Sequence, residues 1–156
     1  MESKLMEKYT ESMYYQIKLT EKLCKIFCKQ LEDTLNLPIT MDEFTMLNII
    51  KEHNGDIHQR DIAKMLFKDR ANTGKMLNKL EEKGYIEKFE KVRNKRQVNI
   101  LTLTEEGLKT IEYMRSELEP IFNGIEKRIS REDEKIAKRH LQNVRDVITE
   151  AIELDI

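Results

Sequence analysis

The sequence predicts a mainly α-helical chain that carries one small β-hairpin. Three observations predict it. Apolar residues recur at three- and four-residue intervals over most of the chain. Only five glycines and two prolines interrupt 156 residues. The β-leaning stretches lie together after Gly84, split by the basic run Val92-Arg93-Asn94-Lys95-Arg96. Hydrophobic residues make up 39% and charged residues 37%, a balance that suits amphipathic helices better than a deep spherical core.

From Lys4 to Asn36, Leu5, Tyr9, Met13, Ile17, Leu23, Phe27, Leu31 and Leu35 form one apolar stripe, which predicts a single long helix ended by Asn36-Leu37-Pro38. At about 1.5 Å per residue it would run on the order of 50 Å. A domain of this length is only about 40 Å across, so a second chain is expected to cover part of the stripe. Thr40-Met41-Asp42-Glu43 reads as a capping box opening a second helix with Phe44, Leu47 and Ile50 inside. Ile57 reads as a short strand, and His58-Gln59-Arg60-Asp61 opens a third helix that buries Ile62, Ala63 and Leu66. A fourth helix, Arg70 to Lys83, buries Thr73, Met76, Leu77 and Leu80 and ends at the C′ glycine Gly84. Tyr85–Lys91 and Gln97–Leu103 form the hairpin. Thr104 caps a fifth helix (Leu108, Ile111, Met114, Leu118) that Pro120 and Gly124 are expected to kink or break. Ser130 caps a last helix striped by Ile136, Ala137, His140, Leu141, Val144, Ile148, Ala151 and Ile152.

The net charge of −1 hides an uneven distribution. His58 to Asn99 holds twelve Lys/Arg against six Asp/Glu, so this segment is +6 and the rest about −7. A basic middle between acidic ends suits a domain that meets a polyanion on one surface. The third and fourth helices follow a tight turn, and the fourth opposes its buried stripe with Arg70, Asn72, Lys75, Asn78 and Lys79. Such a helix packs on its own domain through one side and enters a major groove with the other. There Arg and Lys suit guanine and phosphate, and Asn suits adenine. His58, Gln59 and Lys68 flank it as phosphate contacts. Arg93, Lys95 and Arg96 at the hairpin tip suit a neighbouring backbone or minor groove. The order reads as a winged helix-turn-helix over 39–104, expected to bind double-stranded DNA, flanked by long helices.

Leu80-Glu81-Glu82-Lys83-Gly84-Tyr85-Ile86-Glu87-Lys88 resembles the helix-to-wing junction of the MarR family of bacterial transcription regulators. Arg93-Asn94-Lys95-Arg96 with Val98, then Leu103-Thr104-Glu105-Glu106-Gly107, resemble that family's wing and next helix. The resemblance implies a homodimer built from the long helices of 1–38 and 105–156, with a small-molecule pocket between the DNA-binding lobes and the dimer helices. The chain is expected to act as a repressor or activator on a pseudo-palindromic operator, relieved by a small aromatic or other ligand. It implies groove and phosphate contacts from Arg70, Asn72, Lys75 and Lys79, and a minor-groove role for Arg96. Two positions depart from the pattern. Asn94 stands where an acid often orients the wing arginine, and Gly74 where a small hydroxyl residue is common.

Other classes fit less well. No nucleophile–base pair, phosphate loop or carboxylate cluster points to an enzyme, and no cofactor or metal is implied. His53 and His58 lack metal-ligand spacing, and His140 reads as a core residue. Cys24 and Cys28, at i and i+4, allow a thiol-based oxidant sensor. Their Cβ atoms are expected about 5–6 Å apart, against about 3.5–4.5 Å in a disulfide, so buried, inert thiols are expected. A helical protein-interaction module has no use for an exposed Arg93, Lys95 and Arg96. The charged N-terminus lacks a signal-peptide core and no run is long enough to span a bilayer, which predicts a cytoplasmic protein.

Overall fold

The computed structural model describes residues 8–152. The chain divides into two compact units between Asp42 and Glu43.

The first unit corrects the expectation of one continuous helix. A 3₁₀ turn, Tyr9–Glu11, precedes α1 (Met13–Thr34), and Lys4 and Leu5 lie outside the described residues. Ser12 separates the two in extended geometry, its Oγ accepting from Tyr15 N at 3.2 Å and donating to Tyr9 O at 2.6 Å. A serine offered both a free amide and a free carbonyl competes with the helix, and here it wins. At 22 residues, α1 is about 33 Å long, so its length no longer implies a second chain. Its exposure does. Leu31 is the one buried residue of α1, while Met13, Leu19, Leu23 and Ile26 are exposed. Cys24 is exposed and Cys28 half-buried, both free, so the expectation of two buried thiols fails. Burial, with Cys24 and Glu32 nearby, pushes the Cys28 thiol up, which disfavours its thiolate.

α2 (Met41–Glu52) leads into the second unit. Its buried stripe runs Glu43, Met46, Leu47 and Ile50, so Phe44 is only half-buried and Met46 takes the place expected of it. The 3.6-residue period through Leu47 and Ile50 lands on Glu43, a position that apolar patterning could not flag. After β1 (Ile57–His58) come α3 (Gln59–Met65) and α4 (Arg70–Glu82), with Ile62, Ala63, Leu77 and Leu80 buried and Leu66 and Met76 partly so. β2 (Ile86–Arg93) and β3 (Arg96–Leu103) pair antiparallel from Ile86–Leu103 to Arg93–Arg96, and β1 adds to the free edge of β3 through Ile57–Leu101 and His58–Ile100. Asn94 and Lys95 close the hairpin at φ 48 and 62, the doubly left-handed two-residue turn whose twist matches the strands.

α5 (Glu105–Glu126) passes through Pro120 and Gly124 without a break, contrary to expectation. A buried stripe of Ile111, Met114 and Leu118 stabilises by roughly 1.5–3 kcal/mol per side chain. Together these outweigh the about 3 kcal/mol that one internal proline costs. Leu108, expected inside, is exposed, and Gly107 and Thr110 are buried in its stead. α6 (Arg131–Ala151) opens on Ser130, whose Oγ accepts from Asp133 N at 3.0 Å. No described residue of α6 is buried, so His140 is an exposed residue and not a core one. Within the described residues, no helix is long and apolar enough to cross a membrane.

Candidate nucleic-acid interface

Asp69 sets the start of α4. Its Oδ1 accepts from Asn72 N at 2.8 Å and its carbonyl from the Thr73 hydroxyl at 2.9 Å. The first bond is the main reason the Asp69 carboxyl is held below the usual carboxylate range, with the Asn72 side chain second. A lowered folded pKa means that this contribution is complete above the ordinary carboxylate range and is lost as pH falls through the lowered value. Asp69→Asn retains an acceptor at the cap. We expect its melting temperature to stay near wild type at neutral pH and to drop less than wild type between about pH 5 and pH 3. Parallel thermal melts of the two proteins check this.

With Thr73, Leu77 and Leu80 buried, α4 turns Arg70, Asn72, Lys75, Asn78 and Lys79 to solvent. They are not equally available. Asn72 Nδ2 donates to Asp69 Oδ2 at 2.5 Å, so the candidate adenine reader is engaged at its own cap. Asn78 Oδ1 accepts from Lys88 Nζ of β2, which also lies 3.4 Å from Glu81. Lys79 Nζ is 3.3 Å from the carboxylate of Glu43, and Lys83 Nζ donates to both oxygens of that group at 3.3 Å. Glu43 is 3% exposed. A carboxylate so placed requires cationic partners, and it ties α2 to the last turn of α4. Lys75 has no intramolecular partner among the described residues.

The helix-turn-helix closes tightly. A Cβ on Gly74 would meet Gln59 Nε2 at 2.9 Å, and Gln59 also donates to Arg70 O at 3.5 Å. That nitrogen is the far end of a flexible side chain and can swing aside, so the contact alone does not demand glycine. His58 Nδ1 lies 3.1 Å from Asn99 O, bonding the start of α3 to β3. These residues line an open cleft of about 590 Å³, with Arg60 and Lys64 of α3 and Arg70 of α4 on its walls. Arg60 and Lys64 were absent from the sequence-derived candidates. Their signal in the sequence is an i, i+4 cationic pair on the helix that buries Ile62 and Ala63. Lys68 Nζ lies 3.7 Å from Met76 Sδ.

At the wing, Lys95 and Arg96 have no intramolecular partner among the described residues and are exposed. Arg93 does have one. Its Nη2 donates to Asp56 Oδ1 and Oδ2 at 2.6 and 2.8 Å, and this guanidinium holds the Asp56 carboxyl below its usual range. The loop before β1 thus supplies an acid to Arg93, whereas Arg96, the arginine that an acid at position 94 would orient, has none among the described residues. The hairpin base is fixed by Thr104, whose Oγ1 donates to Gly84 O at 2.6 Å and accepts from Gly107 N at 3.0 Å while its N donates to Tyr85 O at 3.1 Å.

A helix pair with one cationic outer side, followed by a three-stranded antiparallel wing, makes this a winged helix-turn-helix protein. Residues 39–98 match the MarR family model. The match runs from just before α2 into β3, and the chain shares its fold with the following solved regulators. The S. aureus MepR–DNA complex superposes with a TM-score of 0.74 at 21% identity, over 92% of this chain and 100% of that one. The transcriptional regulator SlyA gives 0.71 at 20% identity, over 89% and 95%. Wild-type MarR of E. coli in its apo form gives 0.63 at 20%, over 85% and 95%. At these identities the likeness is one of fold. No curated protein matches the sequence.

Proposed function

We propose that this protein is a homodimeric, cytoplasmic transcription regulator, acting as a repressor on a pseudo-palindromic operator in double-stranded DNA. Residues 39–104 bind the DNA, and 1–38 and 105–156 form the dimer. The observation that carries the reading is the pairing of two features in one unit. α4 buries Thr73, Leu77 and Leu80 while exposing Arg70, Lys75 and Lys79, and the wing presents unpaired Lys95 and Arg96. The fold likeness to MepR, whose structure is a DNA complex, supports it. Relief by a small aromatic ligand belongs to the same reading. Thiol sensing through Cys24 and Cys28 is less favoured, because Cys28 resists ionisation.

The test is binding of the protein to the DNA upstream of its own gene, read by footprinting and by titration. With about 6–10 phosphates neutralised, affinity falls about 10³–10⁵-fold between about 50 and 200 mM salt. Arg96→Ala is expected to weaken binding by about tenfold or more, since a well-placed base contact contributes about 1–3 kcal/mol. It should leave sedimentation unchanged. Salt-insensitive binding, or wild-type affinity in Arg96→Ala, would count against the wing as a contact.

A further inference from the structure

Three helices of this chain end in the same left-handed turn. In each, the residue after the C-cap has positive φ, and the amide beyond it bonds back to a carbonyl five residues earlier. At the end of α1 that residue is Asn36, with Leu37 N donating to Glu32 O at 3.1 Å. At the end of α4 it is Gly84, with Tyr85 N donating to Leu80 O at 3.0 Å. Glycine and asparagine are the residues that tolerate this geometry. At the end of α3 it is Phe67, at φ 49, with Lys68 N donating to Ala63 O at 3.0 Å and Phe67 N to Lys64 O at 3.2 Å. A bulky aromatic residue there is strained by its Cβ.

Burial of the ring would offset that strain, but Phe67 is 52% exposed, and Met65 beside it is 48% exposed. The fold thus holds a large apolar side chain in an unfavourable backbone conformation and leaves half of it in water. Strain kept without a packing return points to a ligand contact. The place is informative. Phe67 stands two residues before the cap Asp69 and three before Arg70, the first residue of α4, and it is the N-terminal end of a recognition helix that meets base edges.

We infer that Phe67 is an apolar DNA contact, packing its ring against the thymine 5-methyl edge or the adjoining deoxyribose at the entry of α4 into the groove. This rests on the DNA-binding reading above. The experiment compares wild type, Phe67→Asn and Arg96→Ala on the tightest duplex that wild type recovers from a random-sequence pool. Phe67→Asn places at this turn the residue that the chain itself uses at Asn36. Its melting temperature should hold or rise by about 2–4 °C, while its operator affinity falls about tenfold. Replacing the operator thymines by uracil distinguishes the two sources. A methyl contact makes wild type lose affinity and Phe67→Asn not, whereas a sugar contact leaves both indifferent to uracil. Unchanged affinity in Phe67→Asn alongside weakened Arg96→Ala overturns the inference and leaves the DNA-binding reading intact. A lowered melting temperature or an altered oligomeric state in Phe67→Asn also overturns it, by making the ring a packing or interface group. Failure of wild type to select any duplex overturns both.

Discussion

Gly107→Ala is expected to be among the most damaging single-methyl changes in this protein. A Cβ built on Gly107 would lie 2.1 Å from the carbonyl oxygen of Tyr85 and 3.0 Å from its carbon. Both are backbone atoms in the turn that joins α4 to the wing, so neither swings aside as a side chain would. Alanine would otherwise favour the helix by about 1 kcal/mol over glycine. The clash has to exceed that gain, and overpacking of this kind costs about 1–3 kcal/mol or more. A fall in melting temperature of roughly 2–8 °C follows for a chain of this size, measured at fixed protomer concentration. The displaced Tyr85 carbonyl accepts from Thr104 N, and Gly84 O accepts from the Thr104 hydroxyl. Relieving the clash therefore moves the wing base against the end of α4, and operator affinity should fall with stability. Gly124→Ala is the control. It lies in the same helix with nothing within 4 Å of its Cβ, so it should hold or raise the melting temperature. A Gly107→Ala protein that melts at or above wild type would refute the account.

The features legible in the sequence are those set by neighbours along the chain. Thr104 and Ser130 cap α5 and α6 as their spacing implied, Gly84 ends α4, and the β-leaning stretches around the basic run form the hairpin. The recognition helix was legible because its two sides differ in character at one period. What was illegible depends on partners distant in sequence or on small local competitions. Asp56 and Arg93 are 37 residues apart, and nothing in either neighbourhood announces the pair. Glu43 belongs to a buried stripe only because Lys79 and Lys83 reach it. Gly107 reads as an ordinary glycine until Tyr85 O is placed beside it. Ser12 and Pro120 show the opposite errors of one rule. A serine with two backbone partners stopped a helix that periodicity would have continued, and a proline failed to stop one whose buried side holds it together.

Leu141→Glu is expected to convert the proposed dimer to a monomer whose buried core stays folded. α6 repeats apolar residues at Ala137, Leu141, Val144 and Ile148, a four-three-four spacing that keeps them on one side. Yet Leu141 is 44% and Ile148 46% exposed in the single chain, and no described residue of the helix is buried. Most of a helix's stability in a protein comes from packing of its apolar side. A second copy of the chain supplies that cover in the proposed assembly. A two-fold interface receives the substitution twice, and each uncompensated buried charge costs about 3–5 kcal/mol. The dimer dissociation constant should therefore rise at least on the order of a thousandfold, since about 1.4 kcal/mol is tenfold. Glutamate is a good helix former, and the core of Met46, Leu47, Leu77, Leu80 and Leu101 is buried within one chain, so the circular dichroism of that core should persist even where α6 loses its cover. Sedimentation at micromolar concentration reads the first effect, and operator titration the consequence: a monomer engages one half-site, so affinity collapses although every DNA-facing residue is intact. A Leu141→Glu protein that sediments as a dimer would remove α6 from the interface. A wild-type monomer that binds its operator at full strength would remove the dimer itself.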